Sequence, residues 1–150
     1  MFVNSEVARL PVNCVFRSWY ETQIKANLNL TARKMSTVAK LYDRLMRFNK
    51  QIRFAAVVDS RGRIIEGGMR EGVEPIEPLE KTPHLIAKLV SVLKAEDLDE
   101  FFGKPQYSIL IHEKIVVFIF RAGKRFVLVT AGRRFGMNKM GRLLTVVRKK

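Results

Sequence analysis

At 150 residues and 47% hydrophobic, the chain is sized for one globular domain with a buried core. Lys and Arg total 28 against 14 Asp and Glu, a net charge of +14, so the partners it favours are polyanions: nucleic acid, anionic lipid or acidic protein. One cysteine, Cys14, excludes an internal disulfide and a cysteine-based zinc cluster, and no apolar run approaches the roughly 20 residues needed to span a bilayer.

Residues 1–34 carry the weakest pattern. A short helix around Val15–Ile24 would bury Phe16, Trp19 and Tyr20, but the periodicity fades through Asn27–Asn29. Two readings stand side by side: a docked N-terminal arm, or translation from Met35, which opens the first clean helix. Either way 1–34 is expected to be an extension dispensable to a domain spanning 35–150. Glu6, Arg9 and Arg17 interrupt every apolar stretch that could serve as a signal peptide, so the expected compartment is cytoplasmic.

From Ser36 to Asn49, apolar residues at Val38, Leu41, Tyr42, Leu45, Met46 and Phe48 follow helical spacing over an arc of about 160°, with Lys40, Arg44, Arg47 and Lys50 opposite. Ile52–Val58 is nearly all apolar, as an interior strand covered on both faces would be. Asp59-Ser60-Arg61-Gly62 reads as a turn and Arg63–Gly68 as the returning strand. Gly67-Gly68 and Gly72 then bracket Met69, Arg70 and Glu71. Those glycines read as a bulge or tight turn where a Cβ would clash, or as the frame of a loop that presents Arg70 and Glu71 to a partner.

Thr82-Pro83 predicts a helix start, a capping hydroxyl followed by a first-turn proline. Leu85, Ile86, Leu89, Val90, Val92 and Leu93 again cover about 160°, wider than the ~100° that one sheet needs, which implies a second apolar neighbour. Tyr107–His112, Ile115–Phe120 and Arg125–Thr130 read as three strands joined by hairpin turns. The last helix, from about Asn138, would bury Met140, Leu143, Leu144 and Val147 and show Lys139, Arg142 and Arg148. Charge is uneven: Lys104–Lys150 holds twelve bases and one acid, whereas Glu77–Gly103 holds three bases and six acids. Both stretches are rich in apolar residues, so the asymmetry points to two differently charged faces rather than a charged tail.

The order α-β-β-α-β-β-β-α resembles the roadblock/LC7 fold, a relative of profilin and longin domains. Within it, IRFAAVVDSRGRIIEGGMREGV resembles the signature of an archaeal domain family with no assigned activity, so the resemblance carries over no catalytic residue. It implies an α+β domain, one five-stranded antiparallel sheet with the first and last helices on one face and the second on the other. It also implies dimerisation through the second helix and the adjacent edge strand, and a role as scaffold or regulator, often of small GTPases.

Catalytic and metal-binding patterns are sparse. His84 and His112 lack an acidic neighbour at ligand spacing, no HxxxH, HExxH, CxxC or GxSxG is present, and the glycines at 67, 68 and 72 make neither GxGxxG nor a Walker loop. The chain is therefore expected to be no enzyme and to carry no metal or cofactor. The leading expectation is a homodimeric interaction or regulatory module, with Leu85, Leu89, Val90 and Leu93 at the dimer interface. A second is a nucleic-acid-associated protein using a positive face made of Lys40, Arg44, Arg47, Lys50, Arg133, Arg134, Lys139, Arg142, Arg148 and the Lys149-Lys150 end. A plain solvated face is its rival. A small-molecule sensor is the third, since sheet-plus-helix domains of this size can hold a pocket.

Overall fold

The computed structural model describes residues 32–94 and 98–149, with side chains from residue 40 onward. The short helix expected near Val15–Ile24 lies outside the described residues. Helix α1 runs Ala32–Phe48, β1 Ile52–Val58, β2 Ile64–Met69, α2 Thr82–Ser91, β3 Tyr107–Ile111, β4 Ile115–Ala122 and β5 Arg125–Gly132. A single-turn helix, α3, covers Asp99–Phe102 between α2 and β3, and α4 covers Met140–Arg148. The first helix thus begins ahead of both Ser36 and Met35, as suits Ala32, Arg33 and Lys34, all good helix formers.

The five strands form one antiparallel sheet in the order β2-β1-β5-β4-β3. Strand alternation divides its side chains between two cores. Phe54, Ala56, Val58, Val117, Ile119, Phe126 and Leu128 pack with Ile86, Val90 and Leu93 on the α2 side. Ala55, Val57, Val116, Phe118, Phe120, Val127 and Val129 pack with Leu45 of α1 and Leu143 of α4 on the other. This two-sided burial is why β1, β4 and β5 read as unbroken apolar runs. The register slips between Val57 and Val58, which pair with Glu66 and Ile64, so Ile65 is the extra residue of a β-bulge. Ile64 then faces α2, while Ile65 and Glu66 both lie on the α1 side.

Thr82 does not cap α2. The chain enters that helix through a 3₁₀ turn at Leu79–Lys81, Lys81 takes the capping position without a side-chain bond, and Thr82 is itself buried in the first turn. Its hydroxyl donates to Glu77 Oε1 at 3.5 Å, tying down the approach loop. Pro83 occupies the first turn as expected. Among the described residues no helix is long and apolar enough to cross a membrane.

Candidate interaction surfaces

The glycine-bracketed segment is structural where its arginine is concerned. Arg70 turns inward: its Nε donates to the carbonyl of Ile52 at 2.7 Å, and an η-nitrogen donates to those of Met46 and Asn49, both at 2.8 Å. These carbonyls close α1 and open β1, so one planar guanidinium supplies the cap that the helix end lacks. Tyr42 adds a bond from its hydroxyl to the Met69 carbonyl at 2.8 Å. Arg70 is therefore not presented to a partner; only Glu71 and Gly72 of the segment are exposed. Gly67 sits at φ +112° with its α-carbon against β1, and Gly68 is buried beside it.

An open groove of about 440 Å³ runs beside α2, between the helix and the sheet. Leu85, Leu89 and Val92 form its helix wall, Val117, Leu128 and Ile115 its floor, and Pro75 and Ile76 one end. Leu85 is 37% and Val92 43% exposed, whereas Val90 and Leu93 are 0% and 2% exposed within the core. Of the four interface residues expected from sequence, Val90 and Leu93 thus belong to the protomer's own packing, and Val92 joins Leu85 and Leu89 at the surface. Arg53, Lys88, Glu77 and His112 stand at the rim.

Further apolar surface is uncovered around α3 and along β3. Phe101 and Phe102 of α3 are 76% and 81% exposed, and Leu98, Tyr107 and Ile111 are exposed nearby in sequence. β3 is an edge strand, with one side of its backbone unpaired in the sheet. Arg121 fastens this region: it donates to the carbonyls of Leu93 at 2.6 Å and Pro105 at 3.0 Å and lies 5.3 Å from the Phe126 ring centre. Neither Arg121 nor the α3 aromatics stood out in the sequence. An arginine closing the apolar run Ile115–Phe120 was the available signal for the first, and the Phe101-Phe102 pair amid acids for the second.

Helices α1 and α4 share the opposite sheet face and are joined. Arg44 donates to the Lys149 carbonyl at 2.8 Å, and the Arg142 guanidinium lies 5.9 Å from the Phe48 ring centre. Lys40, Arg47, Lys50, Lys139, Arg142, Arg148 and Lys149 are exposed, as are Arg133 and Arg134 on the connection into α4. Arg44 alone departs from the expected face: it is half-buried and committed to holding α4. Lys150 lies outside the described residues.

Among the described residues Glu66 is the buried acid, 9% exposed beneath α1 among Leu41, Tyr42, Leu45 and Val57. Burial in apolar surroundings, aided by the charge of Asp43, pushes its carboxyl up to about 7. Between the ordinary carboxyl value of 4.5 and about 7, the folded chain holds a proton that the unfolded chain releases. Stability is therefore expected to fall as pH rises through that window, by roughly 1–2 kcal/mol once partial water access is allowed for. Glu66→Gln should flatten the dependence and raise stability at the alkaline end, as chemical denaturation at a series of pH values will show.

His84 and His112 are both exposed on separate elements. Among the described residues no group of three or more His, Cys, Asp or Glu side chains converges.

No protein-family model matches the chain, and no curated protein does. Solved structures do. One described as MglB with a tetrameric arrangement is 14% identical, covers 79% of this chain and 88% of its own, and superposes with a TM-score of 0.66. The gliding protein MglB of Thermus thermophilus is 12% identical over 73% of this chain and 87% of its own, TM-score 0.58. A roadblock/LC7 domain from Streptomyces avermitilis is 17% identical over 72% and 89%, TM-score 0.55. With the antiparallel order β2-β1-β5-β4-β3, α1 and α4 on one face and α2 on the other, the chain has the roadblock/LC7 fold.

Proposed function

We propose that the chain is a non-enzymatic protein-interaction module that works as a homodimer, joined through α2 and the β3 edge. The observation that carries this reading is the groove beside α2. Its wall residues Leu85, Leu89 and Val92 recur at i, i+4 and i+7, one helical stripe, with Leu85 and Val92 exposed and Leu89 partly buried beside an apolar sheet floor. Such a stripe suits the same stripe of a second copy, because a twofold contact is self-complementary. The open edge of β3 with exposed Tyr107 and Ile111 supplies a second contact for the same copy. The tetrameric arrangement described for one structural neighbour supports assembly as a property of this fold.

The double variant Leu85→Glu, Val92→Glu tests this directly, because both side chains are exposed and their loss leaves the core intact. Sedimentation of the native chain should give a particle of twice the 17.3 kDa chain mass, and the variant a monomer. A native monomer at micromolar concentration would end the proposal.

The roadblock/LC7 fold supports a finer reading, that the dimer acts as a scaffold or as a regulator of the small-GTPase type. A pull-down from native lysate, with nuclease added, should then retain a GTPase in a nucleotide-dependent way. A protein retained equally with GDP or a GTP analogue would leave the scaffold role and remove the regulatory one.

A further inference from the structure

Among the described residues, the α1/α4 side of the sheet carries the most one-sided charge. Nine exposed cations on α1, on α4 and on the connection into it stand against a single acid, Asp43, within residues 40–50 and 133–149. On the other side, Glu74, Glu77 and Glu80 precede α2, and Asp99 and Glu100 follow it. Lys81, Lys88 and Lys94 stand among those acids, so among the described side chains the positive excess lies mainly on the α1/α4 face.

Shape and rigidity favour one kind of polyanion. From Lys40 to Lys50 the face extends about 15 Å at 1.5 Å per residue, and α4 lies alongside. A nucleic-acid duplex presents one phosphate per 1.7 Å of axis with both strands counted, hence about nine over that length, of which about half face one side and can meet the cations available. The Arg44 bond to Lys149 and the Arg142 contact with Phe48 hold the two helices together, so the charges are presented on a fixed frame. A membrane surface fits less well. Among the described side chains, none of the large exposed apolar ones lies on α1 or α4, Met137 in the turn before α4 excepted, so the described part of these helices offers no apolar anchor for insertion.

We infer that the α1/α4 face binds the phosphate backbone of duplex nucleic acid, without reading its sequence. Backbone contacts position a protein but carry no base information. The inference is independent of the dimer, since the face lies across the sheet from the α2 groove.

Fluorescence anisotropy with a labelled DNA duplex of mixed sequence is the test. Four to six phosphate contacts give a log–log salt slope of about −0.9 per contact, a loss of more than about a hundredfold in affinity between 50 and 200 mM salt. The triple variant Arg47→Glu, Lys139→Glu, Arg142→Glu should weaken binding at least about tenfold at the lower salt. The matched variant Lys81→Glu, Lys88→Glu, Lys104→Glu changes net charge equally but away from the face and should weaken it less than about threefold. If the first variant does not fold, the same three positions changed to Gln replace it, with a smaller loss of the same kind. Absence of native binding at low salt overturns the inference. So does an equal loss in both triple variants, which would make binding a net-charge effect. Tighter binding to phosphatidylserine vesicles than to DNA would assign the face to a membrane and overturn it as well.

Discussion

Replacing Arg70 by alanine should lower stability by about 3–5 kcal/mol, and the melting temperature by roughly 10 °C or more. The guanidinium serves three carbonyls at once, those of Met46, Asn49 and Ile52, at the point where α1 ends and the central strand β1 begins. Removing it takes a charged donor from three part-buried carbonyls and loosens the angle between helix and sheet. Of the three, only that of Asn49 keeps a backbone donor outside helix and sheet, the Ile52 N–H at 3.2 Å. Lysine should restore only part of the loss, because a single ammonium group cannot reproduce the planar fork that meets three acceptors. Denaturant unfolding of the native, Arg70→Ala and Arg70→Lys chains measures all of this. A loss under about 1 kcal/mol for alanine would mean that water replaces the guanidinium at little cost.

Gly67→Ala should be at least as severe, costing more than about 4 kcal/mol or preventing folding. An added methyl would meet the Ala55 carbonyl oxygen at 2.2 Å and the Ala56 Cα at 2.4 Å, both backbone atoms of the paired strand. It would also sit at φ +112°, where side chains are strained whatever the space. Backbone cannot give way as a flexible side chain can, so β1 and β2 would have to separate. Gly72→Ala is the internal control: φ is +78° but nothing lies within 4 Å, so only a conformational cost of about 1 kcal/mol is expected. Solubility and thermal melts of the two variants distinguish collision from conformational strain.

These two positions also mark what the sequence could and could not disclose. The strands were legible because Ile52–Val58 and Ile115–Phe120 are apolar on both faces, which only a sheet covered on both sides explains. Gly62 was legible as a turn residue, though not its contact: a Cβ there would meet the Ala87 backbone of α2 at 2.6 Å. Arg70 was harder. Composition places an arginine between glycines, but only long-range geometry shows it reaching 24 residues back to Met46. The apolar arc of α2 was visible at its full width, yet periodicity alone does not say which rows face the sheet. Val90 and Leu93 turn in; Leu85 and Val92 stay out. α3 escaped notice because four residues are too few to show any periodicity.

The open edge of β3 has a consequence for valency. A twofold axis that continues an antiparallel sheet across two β3 edges must stand perpendicular to that sheet, so both copies keep the same face on the same side. Two α1/α4 faces would then lie in tandem along one ten-stranded platform, separated by a fixed span rather than a flexible linker. Once one half engages a long duplex, the other is held at high effective concentration above the same molecule, and avidity rises with no new contact. Short duplexes that reach only one half would gain nothing. Affinity should therefore climb steeply with duplex length up to the span of the pair and level off beyond it. In the Leu85→Glu, Val92→Glu monomer that step would be absent.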